Sequence, residues 1–114
     1  MKRELRDLLK VNKKVWVCLD TPESRKQFVS EMAGQKAMLT NGDLFTMETC
    51  GNIMSLTPDG KLAYVSMMAW AASFRPESET LHHNFAGIPK IDYAAWMEGR
   101  EDYLIERNRY RRVG

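Results

Sequence analysis

The start of the segment Thr21–Arg25 holds residue types that could bind a phosphate. Thr21 suits a helix N-cap, and Pro22 after it favours the first helical position. A helix start presents backbone N–H groups without helical partners, and Ser24 and Arg25 add a hydroxyl and a guanidinium. We therefore name Ser24 and Arg25 as candidate ligand-binding residues. A capped helix start that binds nothing explains the same residues, and two acidic neighbours in this turn favour that alternative.

A second set of candidates lies near a long segment without periodicity. Residues 75–90 combine Pro, Gly, Glu and Ser, which predicts a long loop. Phe74 and Phe85 flank or enter this loop, where an aromatic ring could stack on a planar group. The tail contributes Arg107 and Arg109, whose guanidiniums pair well with phosphates. We predict a small anionic nucleotide ligand, bound without turnover where the tail meets the loop around residues 84 and 85.

Motifs of catalysis and of metal binding are missing from the sequence. It contains no nucleophile elbow, no P-loop, no dinucleotide fingerprint and no zinc-protease helix motif. His82 and His83 are adjacent and lack two further obvious ligands, so a metal site is not predicted. Cys18 and Cys50 are too few for a disulfide scaffold and are expected to be buried thiols. The sequence predicts a protein that is not an enzyme and needs no cofactor.

The length and the charge distribution limit the classes of partner. A chain of 114 residues suits one domain, 1–114, and no apolar run is long enough for a membrane span. Residues 1–14 carry six basic and two acidic residues, and 107–114 carry four arginines and no acid, so each end is +4. The total is +2, which leaves residues 15–106 at −6. We expect a cytoplasmic protein with mobile basic ends, 1–13 and 107–114, whose acidic body disfavours extended contact with nucleic acid.

The first half of the chain predicts a strand followed by a helix. Residues 14–19 are apolar on both alternating faces, which indicates a central strand. The helix from Pro22 to Ala33 presents an apolar stripe of Phe28, Val29 and Met32, and Gly34 is expected to end it. A short helix over residues 3–10 precedes the strand.

The second half predicts two hairpins and a closing helix. Asn41-Gly42 suits a type I′ turn, and residues 57–60, Thr-Pro-Asp-Gly, suit a turn into one long strand over residues 62–74. Asp92 is expected to cap a short helix that ends at Gly99. Residues 100–106 fit either a strand or a helical turn. The predicted fold is α+β, with a small, mostly antiparallel sheet, one main helix on a face and short terminal helices. The small side chains on one face of the long strand, with the aromatic surplus, predict a homo-oligomer.

The motif order resembles a group of small phage proteins. The strand KVWVC, the helix start TPESRKQF, the Asp-Gly hairpin and the closing IDYAAWMEGREDYLI resemble α+β proteins of phages and prophages of Gram-positive bacteria, over residues 13–105. Within that group the chain looks most like the Thoeris anti-defence proteins. The resemblance implies an oligomeric sponge in the host cytoplasm that sequesters a cyclic ADP-ribose signal without cleaving it. It also implies ligand contacts from Phe74, Asn84 and either Arg107 or Arg109.

Two other function classes remain open from the sequence. The acidic body suits an inhibitor that binds a host defence protein directly, as anti-CRISPR proteins do. The basic ends suit a DNA-binding accessory protein of a mobile element, although the sequence shows no helix-turn-helix. Binding of cyclic nucleotides, of duplex DNA or of neither distinguishes the three.

Overall fold

The computed structural model describes residues 4–73 and 88–105 of the chain. Several residues of the predicted ligand site lie outside these ranges: Phe74, Asn84, Phe85, Arg107 and Arg109. The two histidines, most of the predicted loop over residues 75–90 and the basic tail also lie outside them.

The described chain contains four helices and five strands. In chain order they are α1 (Leu5–Leu8), β1 (Val15–Cys18), α2 (Pro22–Gly34), β2 (Met38–Leu39), β3 (Ile53–Leu56), β4 (Lys61–Tyr64), α3 (Met67–Ala72), β5 (Lys90–Asp92) and α4 (Tyr93–Met97).

The strands form one open, mixed sheet in the order β2-β4-β3-β1-β5, which confirms the α+β class. The central pairs β4–β3 and β3–β1 are antiparallel, whereas the outer pairs β2–β4 and β1–β5 are parallel. Beside β5 the chain is extended: the Asp92 N–H donates to Tyr103 O at 2.7 Å, and the Ile105 N–H donates to Lys90 O at 2.8 Å. Of the two alternatives for residues 100–106, the extended one is found at residues 103–105.

Strand β1 separates two apolar clusters, as its pattern predicts. On one face, Val15 and Val17 are fully buried in a large cluster that α1, α2 and α4 cover. We call this side of the sheet the first face. On the other face, Trp16 is buried in a smaller cluster with Ile53 and Trp70. We call that side the second face.

Helix α2 begins as predicted and ends differently. A reciprocal capping box joins its start: the Ser24 N–H donates to Thr21 Oγ1 at 3.1 Å, and the Thr21 N–H donates to Ser24 Oγ at 3.2 Å. Phe28 is fully buried, which confirms the apolar stripe. Gly34 is still helical, however, and Lys36 takes the left-handed conformation with φ +57°. The helix therefore ends one residue beyond the predicted Ala33, and the left-handed residue after it is Lys36 and not Gly34.

Both hairpin turns contain glycine at positive φ. Gly60 has φ +78°, and its N–H donates to Thr57 O at 3.0 Å in the predicted turn between β3 and β4. Gly42 has φ +89°, but Asn41 does not have positive φ, so the type I′ prediction is wrong. The Asn41 side chain instead accepts from the Asp43 N–H at 2.9 Å, an Asx turn that keeps Asn41 out of the left-handed region.

The long strand predicted over residues 62–74 is wrong beyond Tyr64. The Ser66 hydroxyl accepts from the Ala69 N–H at 3.0 Å and caps α3. The helix sequence is Met-Met-Ala-Trp-Ala-Ala, in which methionine and alanine are strong helix formers. Period-two alternation consequently fails here: Trp70 is 4% exposed, whereas Met68, predicted on the same face, is 85% exposed.

The two terminal helices are short, as predicted, and α4 has its predicted cap. Helix α1 is shorter than predicted, and Asn12 Nδ2 donates to Leu8 O at 2.7 Å just after it. Helix α4 is capped by Asp92, whose carboxylate accepts from the Ala95 N–H at 3.3 Å, and Gly99 follows it with φ +79°.

Candidate functional site

The predicted phosphate-binding turn is occupied by its own capping interactions. Ser24 is 2% exposed, its N–H is held by the Thr21 hydroxyl, and its own hydroxyl donates to Thr21 O at 2.9 Å. These contacts use the Ser24 N–H and hydroxyl, two of the donors that an anion at this helix start would need. Ser24 therefore serves as a capping residue here.

Arg25 connects two neighbouring strands at one end of the sheet. Its Nη1 atom donates to Leu19 O at 3.0 Å and to Asn52 Oδ1 at 2.9 Å. The guanidinium thus ties the end of β1 to the residue before β3. The geometry assigns Arg25 a structural role, and Asp20 and Glu23 are exposed in the same turn.

Arg25 also affects the nearby Cys50. Burial raises the pKa of the Cys50 thiol to about 11, and the positive charge of Arg25 opposes that shift. Cys50 and Cys18 form no disulfide with each other, and both are only partly buried. The raised pKa keeps the Cys50 thiol protonated and unreactive near neutral pH.

The second face is an aromatic platform. Trp16 and Trp70 stack with ring centroids 6.3 Å apart and an interplanar angle of 28°. Ile88 and Ile105 are partly buried and pack against the same cluster. These two residues and Ser73 stand next to the parts of the chain outside the described ranges. Ser73 precedes Phe74, Ile88 lies near the end of the predicted loop, and Ile105 lies two residues before Arg107.

Lys90 lies on the second face and was not singled out from the sequence. It is opposite Trp16 in the β1–β5 register, and its side chain is 6% exposed. Its ammonium donates to Ile88 O at 2.9 Å, and burial lowers its pKa. The sequence signal for this position was a lysine directly before the apolar residue Ile91, at the start of β5. Buried lysines are rare without a specific role.

A cleft on the first face of the sheet was also not predicted from the sequence. It has a volume of about 610 Å³ and lies between α1, α2 and α4. One face of α2 supplies most of its wall, through positions spaced three and four residues apart. This spacing of polar residues was the sequence signal that could have revealed the cleft. The lining residues are Glu4, Arg6, Gln27, Ser30, Glu31, Gly34, Gln35 and Met97.

Glu31 is the best-positioned group in this cleft. Its Oε1 accepts from the Tyr93 hydroxyl at 2.7 Å, and its Oε2 accepts from the Leu5 N–H at 2.8 Å and from Gln35 Nε2 at 3.2 Å. Tyr93 is fully buried, and burial, together with the Glu31 carboxylate, raises the pKa of its hydroxyl. The carboxylate joins α1, α2 and α4 and is held in one orientation.

Residues 4–73 and 88–105 contain no group of three His, Cys, Asp or Glu side chains that could hold a metal ion. Within the same ranges, no helix is long and apolar enough to cross a bilayer.

The fold defines an α+β domain built on an open, five-stranded mixed sheet. Comparisons with protein-family models, with curated proteins and with solved structures found no match. The resemblance to Thoeris anti-defence proteins therefore stays a prediction.

Proposed function

We propose that this protein is a binding protein that sequesters a cyclic nucleotide signal of the cyclic ADP-ribose type, without turnover. In this proposal it is encoded by a phage or prophage, acts in the host cytoplasm and works as a homo-oligomer. The ligand lies beside the second face of the sheet, near a subunit boundary.

One observation carries this proposal: the chain positions that bound the predicted ligand residues either pack at the second face or end the helix that lies on it. Ile88 and Ile105 pack on the Trp16–Trp70 cluster, and Ser73 ends the helix that supplies Trp70. Two residues of chain span at most about 7 Å and four span about 14 Å. Arg107 follows Ile105 by two residues and Asn84 precedes Ile88 by four, so the proposal assigns both to the region beside the second face.

The chemistry of this region suits an anionic, planar ligand. The Lys90 ammonium adds a positive charge at the second face, next to the segment that leads to the tail arginines. Arginine pairs with phosphate through two parallel hydrogen bonds, and Phe74 or Phe85 offers a ring for a base. Trp16 and Trp70 are themselves buried, so they serve as the platform beneath the site.

Isothermal titration calorimetry with a panel of cyclic nucleotides and cyclic ADP-ribose isomers tests the proposal. We expect one member to bind the wild type and to be recovered unchanged by mass spectrometry. Arg109→Ala should weaken binding by about ten- to a hundredfold, since one charge-assisted contact contributes about 1.5–3 kcal/mol. Arg100→Ala is the matched control, because this exposed arginine pairs with Asp102 and Glu98.

The same panel can overturn the proposal in two ways. If no member binds the wild type, the sponge function is wrong. If a member is converted to a new product, the protein is an enzyme. Light scattering that gives a 13 kDa monomer at tens of micromolar overturns the homo-oligomer.

A second function, inhibition of a host defence protein by direct contact, is favoured by one surface feature. Met67 and Met68 are adjacent on α3 and are 66% and 85% exposed. Exposed methionines form adaptable apolar contacts with protein partners. This alternative predicts that Met67→Ser with Met68→Ser abolishes the anti-defence effect in cells while leaving cyclic nucleotide binding unchanged.

A further inference from the structure

The Glu31 carboxylate has no cationic partner among residues 4–73 and 88–105. Its three hydrogen-bond donors, the Leu5 N–H, the Gln35 amide and the Tyr93 hydroxyl, are all neutral. The other carboxylate of the cleft, Glu4, is paired with Arg6 at 3.1 Å. A partly buried carboxylate without a counterion is costly, because neutral donors compensate its charge only in part.

The cleft has room and polar groups beside this carboxylate. Its volume of about 610 Å³ is in the ordinary range for small-molecule sites. Glu31 Oε1 accepts one hydrogen bond, from Tyr93, which leaves capacity for another donor. Gln27 and Ser30 also line the cleft, and their side chains carry neutral acceptor oxygens.

We propose that this cleft binds a small organic cation through a primary ammonium or guanidinium group, with Glu31 as its counterion. Such a group donates to Glu31 Oε1 and to the oxygens of Gln27 and Ser30. A hard metal ion fits less well, because these ions prefer six or more oxygen ligands and Glu31 already serves three donors. The site lies on the first face, so it is independent of the anionic ligand proposed for the second face.

Butylammonium, butylguanidinium and uncharged butylurea are suitable probes. Butylurea has nearly the shape of butylguanidinium without its charge. In a two-dimensional NMR titration, we expect either cation to shift the amide signals of Gln27, Ser30 and Gln35, and butylurea to leave them unchanged. Equal shifts with butylurea would show that the cleft does not recognise charge and would overturn the proposal.

Two variants test the site, one by removing the charge of Glu31 and one by filling the cleft. Glu31→Gln removes the charge and should weaken cation binding about ten- to a hundredfold, the effect of one charge-assisted contact. Glu23→Gln, on the exposed start of the same helix, is the matched control and should bind as the wild type does.

The second variant keeps the proposal testable if Glu31→Gln loosens α1. A Cβ at Gly34 meets no atom within 4 Å, and Gly34 lines the cleft. Gly34→Leu should therefore fold and block the cations, whereas Gly34→Ala, its control, should fold and bind them. Unchanged cation binding in Gly34→Leu, or in a folded Glu31→Gln variant, contradicts the proposal. The cyclic nucleotide panel is a separate readout, so either proposal can fail while the other stands.

Discussion

The two faces of the sheet differ in how their apolar residues are covered. Among the described residues, the first-face cluster contains fourteen buried residues, whereas the second-face cluster contains three. Helices α1, α2 and α4 close the first face, and the second face has the short helix α3 with the segments at Ile88 and Ile105. Among these residues, the first face therefore contains most of the apolar core, and the proposed ligand surface lies on the second face.

The largest expected effect is on the first face. Phe28 is fully buried and packs edge-to-face against Phe45 and Tyr93, with ring centroids at 5.6 and 5.4 Å. Phe28→Ala should lower the free energy of unfolding by about 3–5 kcal/mol in urea denaturation. Gln27→Ala, its exposed neighbour, is the control. A loss below about 1 kcal/mol contradicts the assignment of Phe28 to the core, since such small losses are typical of surface positions.

On the second face, Trp70→Ala is expected to lower stability less than Phe28→Ala does and to weaken cyclic nucleotide binding more. Trp70→Ala removes the ring that stacks on Trp16 and should cost about 3 kcal/mol, the low end for a buried aromatic. The variant should also lose cyclic nucleotide binding at a temperature where it is folded, because Trp70 belongs to the proposed ligand platform. If a folded Trp70→Ala variant binds the cyclic nucleotide with wild-type affinity, the ligand site does not lie on the second face.

Arg25, which joins the ends of β1 and β3, is expected to affect stability and not ligand binding. Loss of its two hydrogen bonds to Leu19 and Asn52 should lower stability by about 1–3 kcal/mol in Arg25→Ala. Nucleotide affinity should stay unchanged, because these contacts use Arg25 structurally. If binding falls while stability does not, the phosphate-binding hypothesis for this turn is correct and our structural assignment is wrong.

The smallest effect is a pH dependence at Cys50. A thiol whose pKa is raised by folding stabilises the protein at pH values below its unfolded pKa, and this contribution is lost as the pH rises. Because the Cys50 pKa is about 11 and an ordinary thiol titrates near 9, the loss should develop between these values. In a Cys18→Ser background, the iodoacetamide reaction of Cys50 should stay slow at pH 9. A rate that has reached its plateau by pH 9 contradicts the burial.

Local signals in the sequence were sufficient for β1 and α2. Threonine before proline predicts a helix start because the cap and the fixed proline φ act within one turn. Helix α2 ends one residue later than predicted, and Lys36, not Gly34, has the left-handed conformation after it. Helix α3 was missed because apolar residues with alternating sizes resemble a strand, and the Ser66 cap was overlooked.

The cleft and the role of Lys90 depend on contacts far apart in sequence. Glu31 meets Leu5 and Tyr93 across 26 and 62 residues, so no local pattern reveals the contact. Lys90 becomes informative only when β5 is paired with β1 beside Trp16. Of the predicted ligand residues, only Ser24 and Arg25 lie in the described ranges, and both serve structural contacts there.

The central claim, that the second face is the ligand platform, is tested most directly by NMR with the tightest-binding member of the cyclic nucleotide panel. We predict that the largest changes fall on the indole signals of Trp16 and Trp70 and on the amide signals of Lys90 and Ile105. Signals from Leu5 and Gln35, at the cleft on the first face, should stay unchanged. Changes concentrated at Leu5 and Gln35, or no binding by any member of the panel, would contradict the account.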